Sequence, residues 1–177
     1  MNYKYIPLFL IIIILTFILH EGGHFLVGKL LGYEMFMSIN KAGIAFRGTV
    51  EATWHRTAIT MGGPIVTYGQ AGLGLWIAYR FKAKWAFPIV FMAFTMRLMA
   101  AVISLFSPND EYQIGQWLGI GVWTLPILAV MGLLALTWFT SRKLGFGWKS
   151  WLLSFVLCSA GITGVIFTER FWPAIVW

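Results

Sequence analysis

The sequence predicts an all-α protein: a polytopic bundle of about five transmembrane helices with a short β-hairpin after the first. Hydrophobic residues make up 59% of the 177-residue chain and charged residues only 11%, far below the roughly 25% of a soluble domain. So little charge cannot cover a water-facing surface, and lipid is the expected solvent. Five apolar stretches, 5–31, 57–79, 85–106, 120–140 and 150–167, are long enough to cross a bilayer core, which takes a helix of roughly 20 residues. They are too long and too uniformly apolar for barrel strands, and lipid admits only helices or closed barrels.

The first stretch follows Lys4 and contains the fourteen-residue apolar run 6–19. No small-x-small cleavage site comes after it and apolar sequence resumes at Phe25, so it reads as a retained span and not as a signal peptide. Ten tryptophans suit rings seated at membrane interfaces. The net charge of +7 is scattered between apolar runs, which fits attraction to anionic headgroups and topology control. No nucleic-acid partner is expected. A single cysteine, Cys158, excludes an internal disulfide and a cysteine-rich metal site.

The connection between the first two spans carries period-two alternation over 44–51, with Ile44, Phe46 and Val50 against Arg47, Thr49 and Glu51. Residues 40–43 read as a turn and 35–39 as the opposing strand. Such a hairpin either lies on the membrane surface or offers an edge that pairs with an extended peptide.

The chemistry gathers at the end of the first span. Of three histidines, His20 and His24 stand four apart with Glu21 between them. Residues i and i+4 share one helix face, so both imidazoles can reach one tetrahedral zinc while Glu21 serves a water as base. His20 lies about 22 Å along the helix axis from Tyr5, inside the bilayer, where ionisable groups are costly and persist at functional positions. Gly22 and Gly23 weaken the helix, and their expected benefit is close approach of another backbone.

A third ligand must come from a short acidic inventory: Glu21, Glu34, Glu51, Asp110, Glu111 and Glu169. Spans one and three run in the same direction, so Asp110 can meet the histidines; Glu111 is its neighbour and rival, and Glu169 emerges on the same side. Arg97, midway along span three, is expected to pair or snorkel, with its partner open and a catalytic role as the lesser alternative. His55, in Trp54-His55-Arg56, reads as an interface residue. Met92, Met96 and Met99 recur at helical spacing and read as packing.

On these residues the chain resembles the site-2 protease family of intramembrane zinc metallopeptidases. HEGGHFLVGKLLG, from His20 to Gly32, resembles that family's first core helix. Gly63-Pro64-Ile65-Val66-Thr67 resembles its Gly-Pro-x-x-Asn motif, and Pro108-Asn109-Asp110 its Pro-x-Asp-Gly motif. Thr67 stands where the family has Asn, and Glu111 where it has Gly. The resemblance covers roughly residues 6–118, read as a metalloprotease core of three spans plus hairpin, with 119–177 as two additional spans.

The resemblance implies a zinc endopeptidase with one zinc per chain on His20, His24 and Asp110, and Glu21 as base and then acid. Thr67, Asn109, Ile44 and Phe46 are the residues expected to hold substrate. That substrate would be a membrane protein or membrane peptide, unwound and held by strand addition. The rival readings are a non-catalytic zinc-binding membrane scaffold and a membrane metalloprotease that takes Glu as its third ligand. Three histidines are too few for di-iron lipid desaturases, and polar groups clustered at one end argue against a transporter. The expected location is a multi-pass position in a bacterial plasma membrane. Orientation stays open. Lys4, Arg80, Lys82, Lys84, Arg142, Lys143 and Lys149 on one side outnumber Lys29, Lys41, Arg47, Arg56 and Arg170 on the other, favouring a cytosolic N-terminus, whereas the resemblance implies the opposite.

Overall fold

The computed structural model describes residues 5–45 and 52–177. Among these residues the chain forms α1 (Tyr5–Leu30), β1 (Met35–Met37), β2 (Ala42–Ile44), α2 (Thr53–Phe81), α3 (Ala86–Ile103), α4 (Asp110–Trp117), α5 (Thr124–Leu144), α6 (Trp148–Thr168) and β3 (Ile175–Val176), with a single 3-10 turn at Glu169–Phe171 before β3. It is an all-α fold with a few strands.

Four helices, α1, α3, α5 and α6, are long and apolar enough to cross a membrane, and they mark a membrane protein. The fifth long helix, α2, matches the expected second span in position, but its Thr, Gly, Gln and Arg residues keep it out of that group. Outward-facing Leu10, Ile11 and Leu15 of α1, Ile127, Leu128 and Met131 of α5, and Leu152 and Val156 of α6 are exposed, as lipid-facing side chains are. α5 begins at Thr124 and not at 120, because the chain first turns at Gly121, whose φ of 93° suits glycine.

α3 is the centre of the bundle: 67% of its spanning stretch is buried, against 28% for α5 and 22% for α6. Phe87, Phe91 and Met92 of α3 pack with Phe9 and Ile13 of α1 and Cys158 and Ile162 of α6. A second cluster joins Val90, Ala93 and Phe94 to Ala71 of α2 and Leu133 of α5. With lipid tails as apolar as leucine, helices associate by close packing and not by a hydrophobic drive. The α1–α2 crossing shows this: a Cβ on Gly23 would overlap the Gly62 carbonyl, and one on Gly62 the Gly23 carbonyl. Of the two glycines in His20–His24, Gly23 carries the close approach, whereas nothing lies within 4 Å of a Cβ at Gly22.

The hairpin is present with a shifted turn. β1 pairs antiparallel with β2, Met35 opposite Ile44 and Met37 opposite Ala42, so Ala42 and Gly43 belong to a strand and the chain reverses between Ser38 and Lys41, whose backbone groups are 2.7 Å apart. Phe46 and the rest of the expected strand to Glu51 lie outside the described residues. An unforeseen third strand completes the sheet in the order β2-β1-β3. Met35 exchanges both backbone hydrogen bonds with Trp177, at 2.9 and 3.0 Å. Ile44, opposite Met35, therefore turns its own N–H and C=O to the outer edge, and no strand among the described residues pairs there.

Candidate metal centre

α1 brings His20 and His24 to one face at its crossing with α2, both buried, as is Glu21. The rings fit there because position 63 has no side chain. A Cβ at Gly63 would overlap His24 Nε2 and lie 2.6 Å from His20 Cε1.

Each ring is pinned from behind. His24 Nδ1 lies 2.8 Å from the Ile59 carbonyl oxygen, which can only accept; this contact outweighs the longer approach of the Gly63 N–H at 3.4 Å, so Nδ1 carries the proton. His20 Nδ1 lies 2.9 Å from the Thr67 hydroxyl. That hydroxyl donates to the Gly63 carbonyl at 3.2 Å, so it accepts from His20 Nδ1–H. Both imidazoles thus present Nε2 lone pairs, 3.2 Å apart. Two lone pairs facing each other repel, and a cation between them removes the repulsion. A histidine whose other nitrogen is held by a carbonyl or hydroxyl is the usual setting of a metal ligand.

The third ligand arrives from the end of α3. After Ile103 the chain folds back, and Asn109 clamps the turn: its Nδ2 donates to the Ala100 carbonyl at 3.0 Å and its backbone N–H to the Ser104 hydroxyl at 3.3 Å. Asp110, the first residue of α4, is thereby directed at the histidines. Its Oδ2 lies 3.2 Å from His20 Nε2 and 3.8 Å from His24 Nε2. Burial by itself would raise the Asp110 carboxyl; the Arg97 guanidinium, 3.0 Å from Oδ2, counters it, and the group is held well below the usual carboxylate range.

Tetrahedral zinc with bonds of about 2.0–2.1 Å sets its ligand atoms roughly 3.3 Å apart. The observed separations of 3.2, 3.2 and 3.8 Å bracket that value. His20, His24 and Asp110 form a buried group that can hold a metal ion.

Glu111 does not join the histidines. Its carboxylate accepts from Tyr68 Oη at 2.7 Å and from Arg97 Nη1 at 3.2 Å. Arg97, buried within α3, also donates through Nη1 to Asp110 Oδ2 at 3.0 Å. The partner that the sequence left open is therefore this adjacent carboxylate pair. The signal was available: a lone arginine inside a span needs a carboxylate, and 110–111 is the only acidic pair in the chain. Glu169 sits apart, paired with Lys41 at 2.7 Å, and His55 is half-buried against Tyr33, 2.6 Å away.

A cavity of about 640 Å³ opens onto the triad. His20, Glu21, His24, Arg97, Asn109 and Asp110 form its polar side, and Phe17, Met96, Met99, Ile162 and Ile166 an apolar wall. Met96 and Met99, expected as packing, thus also face this space. β2 borders it through Ala42, on the same side as Glu21. Of the four residues expected to hold substrate, Asn109 lines the cavity, whereas Thr67 is buried behind His20 and does not line it. Ile44 lies on the open sheet edge, and Phe46 lies outside the described residues. A separate apolar cavity between α2, α4 and α5 reaches Glu111 but not the histidines.

No protein-family model, curated protein or solved structure matches the chain, so the site is read from its own geometry.

Proposed function

We propose that this chain is an intramembrane zinc endopeptidase, resembling the site-2 protease family. It would cleave peptide bonds in or near transmembrane segments of membrane-protein substrates, from a multi-pass position in a bacterial plasma membrane. The observation that carries the reading is the set of three ligand atoms at tetrahedral spacing, in a cavity that Glu21 shares. Two imidazoles, one carboxylate and an open fourth position are a donor set that suits catalytic zinc. Bound there, zinc would polarise the scissile carbonyl and lower the pKa of water toward neutrality.

The chain's own residues supply the rest. Glu21 takes a proton from the attacking water and returns it to the leaving amine. A helical substrate hides its carbonyls in its own hydrogen bonds, so it must unwind before cleavage. The outward N–H and C=O of Ile44 offer the unwound segment a partner by strand addition. The apolar wall of Met96, Met99, Ile162 and Ile166 receives side chains beside the scissile bond.

The test is Glu21→Gln, assayed with a purified transmembrane model substrate alongside zinc content. The reading expects zinc retained and hydrolysis lost. Activity near wild type in that variant, or a zinc-loaded wild type that cleaves no membrane peptide, would overturn it; the second result would leave a zinc-binding scaffold.

A further inference from the structure

The reaction proposed above creates a negative charge on the carbonyl oxygen of the peptide, and a protein donor beside the metal position would share in stabilising it. Thr67, which replaces the Asn of the resembled motif, spends its hydroxyl on the Gly63 carbonyl and His20. Asn109 gives its amide hydrogens to the carbonyls of Ala100 and Ser107, and Gln113 donates to the Pro108 carbonyl. Arg97 differs. Its Nη1 is taken by Asp110 and Glu111, but its buried Nε–H has no acceptor among the described residues. Among the described residues the one polar partner of its Nη2 is His20 Nε2, at 3.5 Å, and that lone pair belongs to a metal once one is bound. Arg97 lines the same cavity as Glu21 and the triad and is 4% exposed.

An unpaired donor on a buried cation is costly, and Nη2 of the same guanidinium borders the ligand atoms through His20. The two carboxylates hold the guanidinium by Nη1, and Nη2 stands beside His20 at the cavity that Arg97 lines. We infer that Arg97 is a catalytic residue of the proposed hydrolysis: it donates from Nη2 to the carbonyl oxygen of the scissile peptide as that oxygen becomes an oxyanion.

The step balances without another reactant. Water oxygen bonds to the carbonyl carbon while its proton passes to Glu21. The carbonyl π pair moves onto the oxygen that faces Arg97. The oxyanion then collapses, the C–N bond breaks, and the amine nitrogen takes the proton from Glu21. Arg97 stays protonated throughout, and its contribution is preorganised positive charge where negative charge develops.

This assignment rests on the hydrolase reading, and the experiment separates the two. Arg97→Gln alone strands two buried carboxylates, so the principal variant is Arg97→Gln/Glu111→Gln, which leaves the net charge unchanged. It is compared with wild type and with Glu111→Gln. The readouts are zinc content, kcat and KM on a transmembrane peptide, and the calorimetric affinity of a peptidic phosphonamidate, whose tetrahedral phosphoryl oxygens mimic the oxyanion. The expected result is zinc retained, KM within about threefold of wild type, and kcat lowered by about 10²–10³, the effect of removing one oxyanion donor, with phosphonamidate affinity falling alongside. Arg97→Lys covers a double variant that does not fold: its single ammonium stays on the carboxylates, and kcat should fall as well.

Near-normal kcat or unchanged phosphonamidate affinity with zinc bound would overturn the assignment, and so would loss of zinc, which would make Arg97 only a prop for Asp110. If Glu21→Gln is inert as expected while the Arg97 variants remain active, the hydrolase stands and the role of Arg97 falls. If wild type itself cleaves nothing, both fall.

Discussion

One methyl group at Gly63 should loosen the metal without unfolding the protein. The Cβ of Gly63→Ala would overlap His24 Nε2 and lie 2.6 and 2.7 Å from the Cε1 atoms of His20 and His24. Ordinary carbon contacts are about 3.5–4.0 Å, so both rings must retreat by roughly 1 Å. They are tethered at Nδ1 to Ile59 and Thr67, and retreat strains those bonds and spreads the Nε2 pair. Disturbing such supports costs about 10–100-fold in metal affinity, or about 1.4–2.7 kcal/mol. Alanine meanwhile favours the interior of α2 by up to about 1 kcal/mol over glycine, which offsets part of the strain in the metal-free protein. The assay is zinc affinity by competition with a chelator, beside thermal unfolding of the metal-free protein in detergent. Gly69→Ala is the control: nothing lies within 4 Å of a Cβ there, so it should leave zinc affinity unchanged and the helix no weaker. Zinc affinity of Gly63→Ala within about threefold of wild type would refute the reasoning, because it would mean that the imidazoles do not need the space.

Two further substitutions probe the surroundings of the triad. Thr67→Val keeps the shape but removes the acceptor for His20 Nδ1–H and should weaken zinc binding by about 10–100-fold, whereas Thr67→Ser should restore it; equal zinc affinity for the two variants would count against the tautomer assigned to His20. Ile44→Pro removes an outward N–H from an edge strand, a position where proline costs the sheet no internal hydrogen bond. It should raise KM for an unwound peptide while zinc content stays constant, and unchanged KM would argue against strand addition.

The parts of this fold that the sequence disclosed are those with a local physical signature. Long apolar runs located α1, α3, α5 and α6 because lipid requires their length and composition. His20, Glu21 and His24 were legible because helical periodicity alone places the two imidazoles together. Asp110 was reachable by topology, since α1 and α3 run in the same direction, but its choice over Glu111 was not. That choice depends on the turn that Asn109 fastens to Ala100 and on Arg97 and Tyr68 drawing Glu111 away. These are side-chain contacts with no periodic trace.

The hairpin was visible as alternation but shifted in register, because Ala42 and Gly43 read as turn residues and pair instead with Met37 and Phe36. β3 went unseen: two residues near the chain end carry no period, and their partner lies some 140 positions earlier. The role of Thr67 was read from a motif as substrate contact, whereas its hydroxyl serves His20. Only the distance between α1 and α2, set by Gly23 on Gly62, places it there.

The most direct test of the metal centre is the zinc content of the purified protein beside single-residue variants. Zinc should be present at about one per chain in wild type, Glu21→Gln and Glu111→Ala, and lost from His20→Ala, His24→Ala and Asp110→Ala. Zinc retained in Asp110→Ala and lost from Glu111→Ala would move the third ligand to the glutamate and contradict the geometry described here. A zinc-free wild type under zinc-replete expression would contradict the metal centre itself.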